Sequence, residues 1–374
     1  MRVPWQVRAP VRRARNAFAA ARATLRQLPR WRAIAATPPR RDEVAVSYGV
    51  ERMPSPDDVV YGGAVKFTLL HARLPNAARD FNVLYLGSSS LPIDARALVA
   101  LARRRRAVFA WNQNGVAYPG WYGEGWQLVN RPRARLLREA DVVFYQSRFC
   151  KLSADRFYGE PTGRWEVLPN PVDTERFVPA PAPERPLTLL LGGSQYQRYR
   201  VEVALETLAR VRLELKDARL IVAGALTFAP DAGAVVVRQV QRLGLGDAVQ
   251  LAGPYTQAQA PALLQQADVL LHTKYNDPCP TAVLEAMACG LPVVYSASGG
   301  VPELVGDAGV GVEAPLDWER DHPPDPGDLA RAVLQAHARL PELRVTARAR
   351  AVERFDAAAW IARHVEVFGE LTGA

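Results

Sequence analysis

Short apolar runs alternate along the chain with longer mixed segments. The runs at 82–86, 140–146, 187–191 and 267–274 are predominantly apolar, and each leads into glycine or polar residues. Continuous apolar runs of this length are typical of parallel strands covered on both faces. We therefore predict an α/β fold of alternating strands and helices. Further strands are predicted at 43–48, 108–111, 219–224, 250–253 and 293–296.

The segments between these strands carry the signals of helix starts and ends. Pro280-Thr281 suits the first turn of a helix, whose amides have no intrahelical partner. Gly290 ends that helix and Pro292 prevents its continuation. Helices are predicted at 64–72, 94–106, 201–215, 282–289, 328–355 and 357–371.

The stretch from Asn276 to Gly306 places two helix starts at the carboxyl ends of neighbouring strands. Parallel sheets bind ligands at that edge, and free amides at helix N-termini attract phosphate. Glu285 lies one turn inside its helix on the face of Thr281, since residues four apart share a face. Asp277 precedes the helix. The pattern therefore predicts one acid on each side of a bound diphosphate, as a nucleotide-sugar site needs.

This stretch resembles the donor site of the family 4 retaining glycosyltransferases. The matching features are an acid, seven residues, then Glu within LEAMACGLPVV, followed by Gly-Gly and Pro-Glu. The resemblance implies the GT-B fold, in which two Rossmann-like domains face each other across a cleft. It also implies that Glu285 binds the ribose and that Asp277 contacts the transferred sugar. The first acid is usually Glu in this family, so Asp277 is one methylene shorter.

The resemblance extends to the rest of the donor site. The implied donor-binding residues are Glu285, Thr281, Pro280, Gly193, Gly253, Pro254 and Lys274. The family places two basic residues around the glycine loop, and Ser194 stands in place of the first. Arg198 and Arg200 are both candidates for the second, with Asp277 as the third catalytic candidate. His272, within a strand pattern, is interpreted as a core histidine.

The acceptor side is predicted from the first half of the chain. Gly62 and Gly63 stand at a helix start, where relatives carry Gly-Gly facing the cleft. Asn112 and Asn114 follow the strand at 108–111, where many relatives carry His. Neither is a general base near neutral pH. In the aromatic loop that follows, Trp121 and Glu124 are candidates for a sugar platform, although a packed surface loop explains the same pattern.

The segment LPNPVDTERFVPA, residues 168–180, resembles the interdomain junction of the family, with Pro171 in place of the usual Gly. We therefore predict four parts along the chain. They are a basic N-terminal arm (1–41), an acceptor domain (42–178), a nucleotide-sugar domain (179–355) and a C-terminal helix crossing back to the first domain (356–374).

Charge is concentrated in the arm. Residues 1–41 hold eleven Arg and no acid, so the net charge of +9 leaves −2 for the other 333 residues. Phe18, Leu25, Leu28 and Trp31 approximate one helical face, which favours contact with an anionic membrane; a disordered Arg-rich tail is the alternative. No apolar run is long enough for a secretory signal or a transmembrane helix. An odd cysteine number favours a reducing compartment, and we expect a cytoplasmic location, peripheral at the membrane's inner face.

We expect a retaining transfer of a sugar from a nucleotide-sugar donor to a glycan or lipid-linked acceptor, in the synthesis of envelope glycans or glycolipids. The sequence contains no metal-ligand cluster, and the fold does not generally need a metal, so we expect no cofactor and no nucleic-acid partner. Without a convincing base, the expected mechanism is front-face attack. Two alternatives remain open: a non-catalytic nucleotide-sugar binding protein and a nucleotide-sugar epimerase.

Overall fold

The computed structural model describes residues 25–55, 62–181 and 185–374. Over these residues the chain forms two parallel sheets with helices packed against them. The predicted behaviour of residues 1–24, including most of the arm, lies outside the described residues. Within the described part, no helix has both the length and the apolarity to cross a bilayer.

The first sheet has five strands in sequential order, β1-β2-β3-β4-β5, each paired in parallel with the next. The strands are β1 (Val46–Ser47), β2 (Val83–Gly87), β3 (Val108–Gln113), β4 (Val142–Tyr145) and β5 (Arg164–Val167). The helices of this half are α1 (Leu28–Ala36), α2 (Gly62–Arg73), α3 (Ala95–Arg104), α4 (Pro119–Tyr122), α5 (Trp126–Glu139) and α6 (Arg148–Phe157).

The second sheet has six parallel strands in the order β11-β10-β9-β6-β7-β8. They are β6 (Thr188–Leu191), β7 (Arg219–Ala223), β8 (Val249–Gly253), β9 (Val269–His272), β10 (Val293–Ala297) and β11 (Gly309–Glu313). Its helices are α7 (Arg198–Val211), α8 (Ala232–Arg242), α9 (Ala260–Leu264), α10 (Thr281–Ala288), α11 (Val301–Val305), α12 (Pro326–Ala338) and α13 (Leu340–Phe355). This is the Rossmann order, and its direction reverses between β6 and β9, where such sheets bind ligands.

The central strands are buried along their whole length because helices cover both faces of each sheet. All four residues of β6 and all four of β9 are buried, whereas β8 at the sheet edge is largely exposed. The predicted GT-B architecture of two Rossmann-like domains is confirmed. Two strands, β5 and β11, were not predicted. Both are edge strands in which no residue is fully buried, so neither has the continuous apolar run that marks a central strand.

The last helix, α14 (Ala357–Thr372), packs on the first sheet after the chain has left the second. Trp360, Val367 and Phe368 share a buried cluster with Tyr85 and Phe144 of strands β2 and β4. Arg363 adds an ion pair, with Nη2 2.7 Å from Glu166 Oε2. The exact domain boundaries proposed from the sequence stay predictions.

The described part of the basic arm is docked rather than free. Helix α1 packs on α3, where Ile34 is buried and Trp31 Nε1 donates a hydrogen bond of 2.9 Å to Asp94. Arg30 lies 3.5 Å from the same carboxylate. Trp31, which the sequence pattern placed on the apolar face of the arm, packs on the core of the first domain. Membrane contact of the arm stays a prediction.

Candidate functional site

The loop after β6 lies at the point where the strand order of the second sheet reverses. A side chain on Gly192 would meet Ala282 of α10 at 3.8 Å and the Tyr255 hydroxyl at 4.0 Å. Gly193 has a φ of +85°, which favours glycine. Gly224 donates its N–H to Gly253 O at 2.8 Å, and a Cβ there would lie 2.0 Å from the Gly193 carbonyl. The structure therefore brings the predicted Gly193 and Gly253-Pro254 positions together around the start of α10.

Helix α10 begins at Thr281, with extended Pro280 immediately before it. Glu285 lies one turn further on and is only 4% exposed. Within the described part of the chain, its carboxyl accepts one hydrogen bond, from Gln257 Nε2 to Oε1 at 3.3 Å. Burial raises the pKa of Glu285 to about 7. A buried carboxyl with this much unused acceptor capacity is suited to receive ligand hydroxyls.

Asp277 is held by two basic side chains. Its Oδ2 lies 3.2 Å from Lys274 Nζ and 3.4 Å from His272 Nε2. Burial alone would raise the pKa of Asp277, but Lys274 and His272 outweigh it and hold that pKa well below its ordinary value. His272 is thus not merely a core histidine as interpreted from the sequence. Burial lowers its pKa, so the imidazole faces Asp277 in the neutral form.

Lys274, predicted to bind the donor, is engaged inside the protein. Burial opposes its charge, yet Asp277 and Tyr196 raise the pKa of Lys274 above its ordinary value. Its Nζ also lies 5.5 Å from the centre of the Tyr196 ring. Asp277 and Lys274 therefore form a permanent ion pair at the end of β9, and neither is poised to exchange protons near neutral pH.

The Gly299-Gly300 turn packs directly on the loop that carries Asp277. Gly299 has a φ of +68°, and a Cβ there would lie 2.5 Å from Asp277 O. A Cβ on Gly300 would lie 2.0 Å from Pro278 O. The Gly300 N–H donates to Asp277 O at 2.9 Å. Both glycines are needed because any side chain would push the Asp277 loop out of place.

The structure separates the two arginine candidates. Arg200 is 4% exposed, and its Nη1 donates to Ser194 O at 2.7 Å, which places the guanidinium under the glycine loop. Its Nε is buried and has no hydrogen-bond partner among the residues that the structure describes. Arg198 is exposed and bonds Glu202 on its own helix at 2.7 Å. Arg200 is therefore the better placed of the two for a diphosphate at the glycine loop, and the choice between them stays a prediction.

The acceptor candidates are divided between buried and exposed positions. Asn112 is 1% exposed and Asn114 is 9% exposed, so Asn112 lies beneath the cleft surface. Trp121 is 40% exposed and Glu124 is exposed. Gly62 and Gly63 begin helix α2, as expected. Asn112 is therefore corrected from a direct acceptor contact to a supporting residue.

Sequence reasoning missed Lys66, which lies on α2 four positions after its first residue. It is 1% exposed, and its Nζ donates to Asn112 Oδ1 at 2.5 Å and to Asn170 Oδ1 at 3.2 Å. A signal was present: the chain has only four lysines among 47 basic residues, and this one interrupts an apolar helical run. Lysine in such a position is rarely fully buried without a specific partner.

The two domains are joined by a carboxylate that caps a helix of the other domain. Glu303, at the start of α11, accepts hydrogen bonds from the amides of Arg148 and Phe149 at 3.0 and 3.2 Å. These amides are unsatisfied within α6 because they belong to its first turn. The Pro-Glu element thus positions the first domain over the second. Among the described residues, no group of three or more His, Cys, Asp or Glu side chains could hold a metal.

Two curated relatives illustrate the sequence similarity. The chain is 29% identical over 213 residues to a GDP-mannose-dependent alpha-(1-6)-phosphatidylinositol monomannoside mannosyltransferase of Mycolicibacterium smegmatis, covering 50% of this chain and 53% of that one. It is 31% identical over 245 residues to a D-inositol 3-phosphate glycosyltransferase of Salinispora tropica, covering 56% and 50%. The chain spans about half the length of these curated relatives.

Solved structures share the fold. HepE of Anabaena, in complex with UDP, superposes with a TM-score of 0.64 at 19% identity over 82% of each chain. Sucrose-phosphate synthase of Thermosynechococcus elongatus gives 0.63 at 20% identity, covering 82% of this chain and 76% of that one. At these low sequence identities, both similarities show a shared fold and nothing further.

Two family models match consecutive parts of the chain and meet at the predicted junction. Glycosyltransferase Family 4 matches residues 12–176, and Glycosyl transferases group 1 matches residues 172–335. The second match includes Gly193, Arg200, Asp277 and Glu285. The structure brings these residues together where the strand order of the second sheet reverses, between β6 and β9. The chain belongs to the family 4, or group 1, glycosyltransferases.

Proposed function

We propose that this protein is a retaining glycosyltransferase that moves a sugar from a nucleoside-diphosphate donor to an acceptor hydroxyl. The observation that carries the proposal is the position of Glu285: a buried carboxyl one turn inside α10, beside the glycine loop at the switch point of the second sheet. Ribose hydroxyls are natural donors to such a carboxyl. The start of α10 and Arg200 supply positive potential for the diphosphate.

The chemistry follows from what surrounds Asp277. Its carboxylate stays ionised beside Lys274, so it serves to orient the transferred sugar by accepting hydroxyl hydrogen bonds and does not shuttle protons. The acceptor oxygen forms its bond to the anomeric carbon on the face from which the bond to the diphosphate breaks. The leaving diphosphate oxygen takes the acceptor proton. Catalysis then rests on positioning and on stabilising the leaving charge.

The acceptor class is a glycan or a lipid-linked glycan of the cell envelope. The name of one relative supports this part of the proposal, because it is a mannosyltransferase acting on a phosphatidylinositol monomannoside, a lipid-linked glycan. Contact of the arm with an anionic membrane is a separate proposal that rests on its eleven arginines.

A thermal-shift screen against UDP, GDP and ADP and their sugars tests the donor site. A nucleotide bound only by the folded protein adds about 2.7 kcal/mol of stability at a hundred times its dissociation constant. We expect a shift with one nucleotide, and we expect Glu285→Ala to abolish it. Glu206→Ala, on the outer part of α7, is the matched control and should keep the shift. No shift with any nucleotide contradicts the proposal.

A second measurement separates transfer from the other functions of this fold. The protein is incubated with the nucleotide sugar found in the screen, and the anomeric configuration of the products is measured by NMR. We expect slow hydrolysis of the donor or transfer of its sugar, with the anomeric configuration retained. Isomerised free donor would instead identify an epimerase. Binding without any turnover would identify a nucleotide-sugar binding protein, and an inverted product would overturn the retaining mechanism.

A further inference from the structure

Lys66 is enclosed by three asparagine carbonyl oxygens that come from different parts of the chain. Nζ lies 2.5 Å from Asn112 Oδ1, 3.2 Å from Asn170 Oδ1 and 3.4 Å from Asn114 Oδ1. Asn112 and Asn114 lie at the end of β3 and just beyond it, and Asn170 lies in the junction between the domains. The three N–H groups of one ammonium thus match three acceptors.

The contact between Lys66 and Asn112 determines which group donates and which accepts in the series of hydrogen bonds that leads from Asn112 to the last helix. Because Lys66 and Gln146 both donate to Asn112 Oδ1, the amide nitrogen must face Tyr85, to whose hydroxyl it donates at 2.8 Å. The Tyr85 hydroxyl then donates to His364 Nε2 at 2.8 Å, and His364 Nδ1 donates to Trp360 O at 2.9 Å. Lys66 thereby orients a chain of polar groups that ends on α14.

The same ammonium orients groups that lie against the Asp277 loop. With its carbonyl turned to Lys66, Asn170 donates its amide nitrogen to Cys279 O at 2.9 Å, two residues after Asp277. The neighbouring Pro278 packs on Gly115, where a Cβ would lie 3.1 Å from Pro278 Cγ. Lys66 therefore contacts the end of β3 directly, and it is connected to the loop that carries Asp277 through the single side chain of Asn170.

The charge on Lys66 has no counter-ion among the described residues. The titratable groups that face it are Cys150, Cys279, Tyr85 and His364, and burial keeps each of them neutral near pH 7. Burial also lowers the pKa of Lys66 itself to about 7. A neutral amine has two N–H groups for three acceptors, so loss of the proton releases one asparagine. An anionic ligand bound nearby favours the charged form.

We infer that Lys66 is a positioning residue that ties the acceptor-side end of β3 to the Asp277 loop through Asn112, Asn114 and Asn170. In its charged form it holds the three amides in one arrangement and fixes how the two sides of the cleft meet. Its value for transfer rests on the proposed function, since productive geometry between donor and acceptor is what such catalysis requires. The hydrogen bonds of Lys66 with the three asparagines are present without a bound ligand, so this connection, here called the tie, can be tested in the ligand-free protein.

Amide hydrogen exchange of the ligand-free protein tests the tie. We expect Lys66→Met to accelerate exchange of residues 275–283 at least tenfold relative to the wild type, with β6 and β7 unchanged. Asn170→Leu removes both the acceptor for Lys66 and the bond to Cys279, and it leaves the contacts of Lys66 with Asn112 and Asn114 in place. It should give the same acceleration while leaving α2 protected. Lys151→Met and Asn130→Leu are the matched controls, since these residues bond within the first domain. If Lys66→Met does not fold, Asn170→Leu carries the test.

The pH dependence distinguishes positioning from simple packing. All proteins in this pH series carry Glu285→Gln, which removes the titration of that neighbouring carboxyl. With Lys66 present, protection factors corrected for intrinsic exchange should fall across residues 275–283 between pH 6 and pH 8. Lys66→Met should show low protection at every pH, and Lys66→Arg should restore protection without the fall. Wild-type protection in both Lys66→Met and Asn170→Leu, or the same fall in Lys66→Met, would overturn the inference.

Enzyme kinetics test whether the contacts of Lys66 matter for sugar transfer. With the nucleotide identified by the thermal-shift screen, Lys66→Met should lower kcat at least tenfold and change the nucleotide dissociation constant less than threefold. Should no nucleotide bind the wild type, the proposed function fails while the exchange experiment still decides the role of Lys66. A fall in nucleotide affinity with unchanged kcat would contradict a positioning role.

Discussion

Trp318, in the loop after the last strand of the second sheet, stacks on Phe149 of helix α6 in the first domain, with ring centroids 5.3 Å apart and 21° between the planes. Tyr118 and Phe157 meet its ring edge-on at 5.1 and 5.4 Å. The Gly120 amide donates to Trp318 O at 2.8 Å. A side chain of one domain thus completes the core of the other.

We predict that Trp318→Ala lowers the free energy of unfolding by about 3–5 kcal/mol, because a buried aromatic ring leaves a cavity that the surrounding rings cannot fill. Urea denaturation followed by circular dichroism measures the change. Trp165→Ala is the matched control: that ring is 49% exposed, and its loss should cost much less. Equal effects of the two substitutions would show that Trp318 does not join the domains in solution.

Glu285 should make the protein less stable as the pH rises. Its pKa is raised from 4.5 to about 7, so between these values the folded protein holds a proton that the unfolded chain has released. The free energy of unfolding therefore falls as pH rises through this window, by about 3 kcal/mol in total for this one group. Above pH 7 the buried carboxylate is charged and the full destabilisation is present.

Glu285→Gln removes this titration while keeping the shape of the side chain. We expect the variant to be more stable than the wild type at pH 8, by up to about 3 kcal/mol, with the difference vanishing near pH 4.5. Urea denaturation at a series of pH values measures it. Glu206→Gln, on the outer part of α7, should stay within about 0.5 kcal/mol of the wild type throughout. If the stability difference between Glu285→Gln and the wild type did not change with pH, a raised pKa for Glu285 would be contradicted.

Arg200 and Arg198 should differ sharply in their effect on nucleotide affinity. Arg200 lies under the glycine loop, and its buried Nε–H has no acceptor in the described ranges 25–55, 62–181 and 185–374, whereas Arg198 faces solvent. We predict that Arg200→Ala weakens nucleoside-diphosphate binding by about 2–3 kcal/mol, in the range of charge-assisted hydrogen bonds. Arg198→Ala should leave it unchanged. Calorimetric titration measures both, and the reverse order would restore Arg198 as the diphosphate ligand.

Much of the second domain could be predicted because its signals are local. The apolar run ending at Lys274, the start of α10 at Thr281 and the stop at Gly290 lie close together in sequence, and the structure reproduces them within a residue or two. The spacing of Asp277 and Glu285 likewise depends on one helix and its approach. Element boundaries elsewhere shifted by a few residues, as with α7, which begins at Arg198 and not at Val201.

What could not be predicted depends on contacts between distant segments. The surroundings of Lys66 come from residues 46, 48 and 104 positions away. The docking of Trp31 on Asp94 and of Trp318 on Phe149 likewise joins segments that no local pattern relates. The choice between Arg198 and Arg200 required the exact start of α7, the feature that sequence patterns define least well.

The Asp277–Lys274 pair should show strong energetic coupling. Both side chains are at most 15% exposed, and removing one partner leaves a buried charge uncompensated. We predict that Asp277→Asn and Lys274→Met each cost about 3 kcal/mol in the free energy of unfolding, and that the double variant costs far less than their sum. The coupling energy from the double-mutant cycle should be about 2–3 kcal/mol.

Arg135 and Glu139 provide the control pair, one turn apart on α5 with side chains 60% and 38% exposed. Their cycle should give about 0.3–0.5 kcal/mol, as expected for a helix surface pair. A coupling for Asp277 and Lys274 no larger than this would show that the two are not paired in solution. Asp277 would then lose the partner that holds its pKa low, and a proton-transfer role for its carboxyl would have to be considered in place of sugar orientation.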